Sequence, residues 1–196
     1  MITAQRYEQK RLKLIAKLAS AGTLLDVGYA QQPNPYFSGV HRVGLDLVPS
    51  SGTVSYEEEI VGDCMEVQEI FPGRTFDTIV CGELIEHLEN PYALLRTLRE
   101  VLRDDGRLIL STPNPMGFPV AFAELFRLKR YFYTEDHTYY FLPRWVERLC
   151  EATGYAVRDI VSVGLWTPWF AVPAPVALSY HVIYMCEKAD SARSDR

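Results

Sequence analysis

The sequence alternates between segments patterned as helices and short apolar segments patterned as strands, and this alternation constrains the fold more than any other feature. The first helical pattern carries its apolar residues on one face and stops at a glycine, in the series Tyr7, Leu14, Ile15, Leu18 and Gly22. Strands that alternate with helices form parallel sheets, because each helix carries the chain back across the sheet. The pattern therefore predicts an α/β protein with a doubly wound, mostly parallel seven-stranded sheet and helices on both faces.

Seven segments have the length and apolar character of strands: residues 23–27, 41–46, 59–62, 76–80, 107–112, 155–163 and 180–187. The clearest helix, at 91–102, separates the fourth strand from the fifth. Asn90 suits its N-cap, Pro91 its first position and Gly106 its C-terminal cap. A further helix is expected at 143–152, before the last two strands.

The chain of 196 residues is long enough for one domain with a full core, and its apolar content of 48% excludes a disordered or fibrous protein. We assign residues 1–188 to a single domain and residues 189–196 to a disordered tail. An insertion at about 115–137 follows the fifth strand and is expected to form a lid over the ligand.

The charge balance favours a small ligand over nucleic acid. The chain has 20 Lys and Arg against 25 Asp and Glu, whereas broad nucleic-acid binding needs clustered basic residues. Residues 1–20 are polar and lysine-rich, so they resemble neither a secretory signal nor a membrane span and indicate a cytoplasmic protein. The four cysteines form no CxxC pair and are expected to be reduced thiols in the core rather than zinc ligands.

Acidic residues recur where the first three predicted strands end. Asp26, Asp46 and Asp63 occupy these exits, and a doubly wound sheet binds its ligand at the carboxyl ends of its strands. Carboxylates suit a ligand with ribose hydroxyls, an amino group and positive charge better than they suit a diphosphate.

This ordered set resembles the class I S-adenosylmethionine-dependent methyltransferases. The stretch Phe76–Asn114 is especially similar to the small-molecule branch that includes the ubiquinone-biosynthesis O-methyltransferases. The resemblance implies a Rossmann-like methyltransferase fold and S-adenosyl-L-methionine as cofactor. The family's glycine-rich loop is altered here, because only Gly28 holds its place while Ala30 and Gln32 replace the later glycines.

The resemblance also implies the contacts with the cofactor. Asp46 would accept hydrogen bonds from the ribose diol, Asp63 would accept one from the adenine amino group, and the backbone N–H of Cys64 would reach the ring. Asp63 is equally suited to cap a short helix, and the two roles are compatible. The cofactor-binding set implied in this way is Asp26, Gly28, Tyr29, Asp46, Leu47, Asp63, Cys64 and Cys81.

An E-x-x-E-H pattern follows the fourth strand, at Glu83, Glu86 and His87. If this segment is helical, Glu83 lies beside the other two side chains, and the three could hold Mg²⁺ or another divalent cation. Similar triplets ligate metal in some ubiquinone-pathway methyltransferases and, with a downstream histidine, in the small-RNA 2′-O-methyltransferases. His137 is the candidate fourth ligand. Without a metal, His87 would act as general base or hydrogen-bond the acceptor, and Glu83 and Glu86 complete the predicted catalytic set.

The insertion is rich in aromatic residues and has several possible uses. Its aromatics could close over an apolar or ring-shaped acceptor. With Arg127, Lys129 and Arg130 among them, residues 118–133 could also rest on an anionic membrane surface. Packing in the core or in a homodimer is the third alternative.

We therefore expect S-adenosylmethionine-dependent methyl transfer to a small-molecule acceptor, at a hydroxyl group. RNA 2′-O-methylation is an alternative, motivated by the E-x-x-E-H pattern together with His137, although the acidic balance disfavours it. A non-catalytic nucleotide-binding scaffold is a second alternative, motivated by the altered glycine loop.

Overall fold

The computed structural model describes residues 2–50, 52, 54–117, 120–126, 137–166 and 171–189. Its α-helices are α1 (Ile2–Leu18), α2 (Val67–Ile70), α3 (Pro91–Val101), α4 (Val120–Leu125) and α5 (Pro143–Ala152). Its strands are β1 (Gly22–Val27), β2 (Val40–Asp46), β3 (Glu58–Val61), β4 (Phe76–Gly82), β5 (Leu102–Pro113), β6 (Tyr155–Trp166), β7 (Ala171–Val172) and β8 (His181–Lys188).

The strands form one sheet in the order β3-β2-β1-β4-β5-β8-β6-β7. The first five strands in this order run parallel, and β8 is inserted antiparallel between β5 and β6. The predicted doubly wound, mostly parallel architecture is confirmed, and the two-residue β7 extends the seven predicted strands at one edge. The order reverses at β1, which lies between β2 and β4, so this is where a ligand crevice is expected.

Helices cover both faces of the sheet because successive side chains of a strand point to opposite faces. On β1, Leu24 packs in the cluster that contains α1, whereas Leu25 packs in the cluster that contains α3 and α5. Both residues are fully buried. The core is therefore two apolar layers separated by the sheet.

Helix α3 begins as the sequence predicts and ends differently. Asn90 caps it by accepting a hydrogen bond from the N–H of Ala93 at 3.0 Å, and Pro91 occupies its first position. The predicted cap at Gly106 is wrong, because the helix ends at Val101 and Gly106 lies within β5. The reason is that Leu102 already has extended backbone and buries its side chain, so the chain enters the strand directly.

The four cysteines carry free thiols, and three of them, Cys81, Cys150 and Cys186, are buried as predicted for core residues. No helix within the described ranges has both the length and the apolar character needed to cross a bilayer. Of the predicted tail, Ala189 still bonds to the backbone of Gly154 at 2.9 Å, and residues 190–196 lie outside the described part of the chain.

Candidate active site

A cleft of about 460 Å³ opens at the carboxyl ends of β1, β2 and β4, with α1 as one wall. Its volume lies within the range of small-molecule and cofactor sites. The lining residues are Arg11, Leu12, Ile15, Asp26, Gly28, Tyr29, Gln31, Gln32, Asn34, Asp46, Val80, Gly82, Glu83, Leu84, His87 and His137. The predicted residues Asp26, Gly28, Tyr29 and Asp46 are thus brought together.

The loop after β1 is held against the end of β2 by backbone and carboxylate hydrogen bonds. Gly28 has a φ of 75°, which favours glycine, and its N–H donates to the carbonyl of Leu45 at 2.9 Å. Asp46 accepts from the N–H of Ala30 at 2.8 Å through Oδ2 and from that of Val48 at 3.3 Å through Oδ1. These contacts fix the Asp46 carboxylate at the cleft.

The residues predicted to contact an adenine ring flank the cleft rather than line it. The N–H of Gly62 donates to the carbonyl of Asp46 at 2.8 Å, which holds the ends of β2 and β3 side by side. Asp63 caps the following 3₁₀ helix, Cys64–Glu66, by accepting from the N–H of Met65 at 2.8 Å. Leu47 is 69% exposed, whereas the Cys81 side chain is buried in the core beneath the cleft.

Tyr29 forms a wall of the cleft and takes up the space that a larger residue at position 44 would need. A Cβ atom at Gly44 would overlap the Tyr29 ring, so glycine is required there. On its other side the ring stacks on Tyr56, with centroids 4.9 Å apart. Burial raises the pKa of Tyr29 to about 12, so it remains a neutral wall at physiological pH.

Asp26, at the floor of the cleft, is almost completely buried and accepts a hydrogen bond from the Tyr56 hydroxyl at 2.6 Å. Burial raises the pKa of Asp26 to about 7, against the lowering effects of the Tyr56 hydrogen bond and the Arg11 charge. The neighbouring Asp46 raises it further. Asp26 therefore changes charge near neutral pH.

Glu83 lies in a partly buried network with residues that the sequence patterns did not place beside it. Its backbone has a φ of 54°, an uncommon value for a side chain other than glycine. Oε1 accepts from the Ser111 hydroxyl at 2.8 Å, and Oε2 lies 3.0 Å from Nε2 of His181. Burial opposes ionisation, but the charges of His181 and Arg11 prevail and lower the pKa of Glu83 to about 2.

Arg11 is the main residue of the candidate site that the sequence patterns did not indicate. It is 3% exposed, and its guanidinium donates to Glu8 at 2.9 Å, to Ser111 at 3.0 Å and to the side chain of Gln32. A signal was present, because Arg11 lies one helical turn from both Tyr7 and Ile15, and all three are buried. A charged residue on the buried stripe of a helix marks a site where a counter-charge must meet it.

The E-x-x-E-H segment is not the continuous helix that would have grouped its three residues. Only Ile85–His87 form a 3₁₀ helix, and the left-handed backbone at Glu83 directs that residue to Ser111 and His181 instead. The prediction that Glu83 shares one cluster with Glu86 and His87 is therefore corrected.

Glu86, His87 and His137 do come together, with ligand atoms that all lie within 4.8 Å of one another. The backbone carbonyl of Glu86 accepts from the N–H groups of Thr138 at 2.8 Å and Tyr139 at 3.1 Å, which brings the His137 segment to this position. The two histidine rings are 4.6 Å apart in an edge-to-face arrangement.

The Glu86 carboxyl group is 1% exposed, and neither of its oxygens has a hydrogen-bond partner in the described part of the chain. Burial and the charge of Glu83 raise its pKa to about 9. Such a group needs a compensating cation or proton.

A second cavity of about 390 Å³ lies behind the wall that carries His137. Its lining is mostly aromatic: Glu89, Asn90, Pro91, Tyr92, Tyr139, Tyr140, Phe141 and Trp145. The Tyr140 ring is 5.7 Å from that of His137, so one segment separates the cavity from the cleft.

The predicted lid is described only in part, since residues 118–119 and 127–136 lie outside the described ranges. The described helix α4 leaves Phe122, Leu125 and the adjoining Phe126 substantially exposed. The predictions for Arg127, Lys129 and Arg130 fall on residues that the structure does not describe.

The reversal of strand order at β1, with the carboxylate of Asp46 at the resulting cleft, defines a Rossmann-like α/β protein with a ligand crevice at its strand ends. The family model described as "Methyltransferase domain" matches residues 2–160. The chain belongs to this methyltransferase family, which confirms the resemblance found in its strand-end motifs.

Curated relatives agree with this assignment. The chain is 22% identical over 157 residues to the ubiquinone biosynthesis O-methyltransferase of Neisseria meningitidis serogroup A, covering 75% of this chain and 65% of that protein. It is 30% identical over 129 residues to the protein of the same name from Xanthomonas euvesicatoria pv. vesicatoria, covering 64% of this chain and 52% of the relative. The matches thus span between half and two thirds of these relatives' length.

Among solved structures, the fold is similar to that of 1,6-didemethyltoxoflavin-N1-methyltransferase from Burkholderia thailandensis. That protein was solved with 1,6-didemethyltoxoflavin and S-adenosylhomocysteine bound. The TM-score is 0.63 at 18% identity, over 93% of this chain and 78% of that one. At this identity the likeness establishes the fold.

Proposed function

We propose that this protein transfers a methyl group from S-adenosylmethionine to a hydroxyl group of a small molecule. The observation that carries this proposal is the cleft at the β1 switch point, where Asp26, Asp46 and Arg11 converge beside His87. The family match and the similarity to ubiquinone biosynthesis O-methyltransferases support the same activity.

The charges around the cleft suit the two ends of the cofactor. Asp46 is the acceptor for the ribose diol, because a carboxylate can take two hydrogen bonds and repels a 2′-phosphate. The exposed Leu47 beside it supplies apolar surface for the adenine ring, with Asp63 near the ring's amino group. Asp26 and Arg11 supply opposite charges for the ammonium and carboxylate groups of the methionine part.

The altered glycine loop is compatible with this binding. An amino-acid group needs fewer backbone donors than a pyrophosphate does. The Arg11–Gln32 hydrogen bond and the Asp46–Ala30 hydrogen bond fix the conformation of the loop. A loop held in this way can keep its shape without the later glycines.

When bound, S-adenosylmethionine supplies an electrophilic methyl group. The residues of the cleft would align the acceptor with it, and alignment alone contributes several kcal/mol, roughly 7–11 in well-oriented systems. His87 lines the cleft and would accept the hydroxyl proton, a role typically worth about 10²–10⁴-fold in rate. Glu83 is held by Ser111 and His181, so it would shape the cleft rather than move a proton.

A divalent cation fits the group of Glu86, His87 and His137. The fit rests on the buried Glu86 carboxyl group, whose oxygens lack hydrogen-bond partners among the described residues. One carboxylate and two imidazoles are ligands that Mn²⁺, Zn²⁺ and similar ions accept. A bound cation would lower the pKa of an acceptor hydroxyl, and His87 would then serve as a ligand rather than as the base.

The second cavity supports a ring-shaped acceptor. Three of its aromatic residues, Tyr92, Tyr139 and Trp145, are 40–51% exposed, so their rings are partly accessible to a ligand. Tyr140 lines this cavity and its ring lies 5.7 Å from that of His137 in the cleft, so a ring bound in the cavity would lie one segment away from His87.

Isothermal titration calorimetry with S-adenosylmethionine and S-adenosylhomocysteine tests the proposal. We expect both ligands to bind. Asp46→Asn should weaken the affinity about tenfold or more, because a charged hydrogen-bond acceptor is lost. The matched control, Asp104→Asn, changes an exposed aspartate paired with Lys188 and should bind like the wild type. Absence of binding by the wild type would instead favour the non-catalytic scaffold.

A further inference from the structure

A chain of buried hydrogen bonds runs from helix α1 to the carboxylate at the end of β1. The side-chain amide of Asn34 donates to the carbonyl of Leu12 at 3.0 Å, and the backbone N–H of Asn34 donates to the Tyr56 hydroxyl at 2.9 Å. That hydroxyl donates to Oδ2 of Asp26 at 2.6 Å. Asn34, Tyr56 and Asp26 are each less than 8% exposed.

When Asp26 is ionised, the donor and acceptor roles in this chain have only one solution. An amide N–H can only donate and a carboxylate can only accept, so the Tyr56 oxygen accepts from Asn34 and its own proton points at Asp26. The hydrogen bond from Tyr56 occupies Oδ2 of Asp26. Oδ1 has no hydrogen-bond partner among the described residues, and Asp26 lines the cleft. Tyr56 therefore turns the carboxylate so that one oxygen is kept for a ligand.

The Tyr56 ring is fixed independently of its hydroxyl group. It stacks on Tyr29, and the guanidinium of Arg42 lies 5.2 Å from its centroid. A phenylalanine at this position can keep both ring contacts. The hydroxyl can thus be removed with little change in packing.

The groups that face Asp26 come from several elements. Arg11 approaches from α1, Asp46 from β2 and Tyr56 from the segment before β3. The buried thiol of Cys81 lies on the neighbouring β4, and Tyr29 follows β1. Among these, Tyr56 and Arg11 favour the ionised form of Asp26, whereas burial and Asp46 oppose it.

We propose that Tyr56 is a positioning residue for the cofactor, because its hydroxyl orients the Asp26 carboxylate to receive the ammonium group of the methionine part. This inference rests on the proposed function, since the ammonium group belongs to S-adenosylmethionine. Tyr56 lies outside the strand-end motifs, and no contact with the cofactor itself is needed for this role.

The test compares Tyr56→Phe with wild type by calorimetry of S-adenosylhomocysteine at several values between about pH 6 and pH 8.5. Affinity should rise with pH as Asp26 ionises, because the carboxylate attracts the ammonium group. In Tyr56→Phe the midpoint of this rise should move to higher pH, and binding near pH 7 should weaken about tenfold. Tyr184→Phe is the matched control, since its hydroxyl is buried without a hydrogen-bond partner among the described residues.

A ligand-free measurement accompanies the calorimetry. The ¹³C resonance of the Asp26 carboxyl group should titrate at higher pH in Tyr56→Phe than in wild type or Tyr184→Phe. An unchanged carboxyl titration, or equal affinity and equal pH midpoints in Tyr56→Phe and Tyr184→Phe, would overturn the role of Tyr56. The wild type could fail to bind S-adenosylhomocysteine while the Asp26 carboxyl group still titrates at higher pH in Tyr56→Phe. That result would contradict the proposed cofactor but would support the hydrogen bond from Tyr56 to Asp26.

Asp26→Asn provides a second variant in case Tyr56→Phe does not fold. It keeps the size of the side chain and an acceptor for Tyr56 but removes the charge. Its affinity for S-adenosylhomocysteine should be low and nearly independent of pH over the same range. An affinity that still rises with pH as in wild type would contradict the inference.

Discussion

Nε2 of His181 lies 3.0 Å from Oε2 of Glu83, so the first residue of β8 meets the residue that follows β4 inside the protein. The guanidinium of Arg11 lies 3.8 Å from the same carboxylate and also pairs with Glu8. Two acidic and two basic side chains from three separate segments, α1, the residue after β4 and the start of β8, thus meet beside the cleft. Their mutual dependence makes the group sensitive to the loss of any member.

Replacing Arg11 with alanine should lower the free energy of unfolding by about 3 kcal/mol or more. The substitution leaves the Glu83 carboxylate, whose side chain is only 21% exposed, without its arginine partner, and uncompensated charge away from water is costly. Urea denaturation followed by circular dichroism measures the change. Arg103→Ala is the control, because Arg103 is half-exposed in its ion pairs and should contribute under about 1 kcal/mol. Equal losses in the two variants would contradict the buried network.

Asp26 should make the protein less stable as pH rises from about 4 to about 7. The folded state raises the pKa of Asp26 to about 7, so over this interval the unfolded chain has lost the proton while the folded chain keeps it. The free energy of unfolding then falls with pH, by up to about 1.4 kcal/mol per pH unit for one group. The difference between wild type and Asp26→Asn isolates this contribution.

The measurement is urea denaturation of both proteins at pH values across that interval. Asp104→Asn serves as the reference, because Lys188 lowers the pKa of Asp104. The contribution of Asp104 to the free energy of unfolding therefore rises with pH, opposite to that of Asp26. Parallel pH profiles for wild type and Asp26→Asn would show that burial does not perturb Asp26.

Mn²⁺ should bind to the wild-type protein and lose affinity when either Glu86 or His137 is replaced by glutamine. Glu86, His87 and His137 each place one ligand atom within 4.8 Å of the other two, and Glu86 is buried. We expect a loss of about tenfold or more in each variant. Electron paramagnetic resonance of free Mn²⁺ measures the binding.

His41→Gln is the control for the metal experiment, because His41 is exposed and paired with Glu58 away from the cleft. It should bind Mn²⁺ like the wild type. If Glu86→Gln and His137→Gln also bind like the wild type, the three residues do not form the site, and His87 would retain the role of base.

Gly44→Ala should destabilise the protein by roughly 1–3 kcal/mol, because the added methyl group overlaps the Tyr29 ring. The same substitution in a Tyr29→Ala background should cost less, since the obstructing ring is gone. Thermal unfolding of the wild type, Gly44→Ala, Tyr29→Ala and the double variant gives the double-mutant cycle. Additive effects would mean that Tyr29 does not occupy the space above Gly44.

The elements of the fold could be predicted from the sequence because helices and strands bury residues with different periods. Leu24 and Leu25 on β1 divide between the two faces as the strand pattern requires. The strand ends placed Asp46 and Gly28 at the cleft for the same reason, since parallel strands deliver their carboxyl ends to one edge.

The contacts that cross the sheet could not be predicted in this way. Arg11 and His181 belong to elements far apart in sequence, and periodicity indicates a buried face without indicating which side chain lies opposite. Glu83 was grouped incorrectly because a helix was assumed where the backbone is left-handed. Tyr56 carries no motif, and its importance follows only from the hydrogen bond to Asp26.

The anchoring of α1 by Tyr7 bears on how the chain is assembled during synthesis. The Tyr7 hydroxyl donates to the carbonyl of Gly164 at 2.9 Å and accepts from the N–H of His181 at 3.0 Å. A ribosome releases residue 7 long before residue 181. Helix α1 of the nascent chain therefore lacks its hydrogen-bond partners at Gly164 and His181 until β6 and β8 emerge. The α1 wall of the cleft therefore gains these two anchoring hydrogen bonds only after β8 has been synthesised.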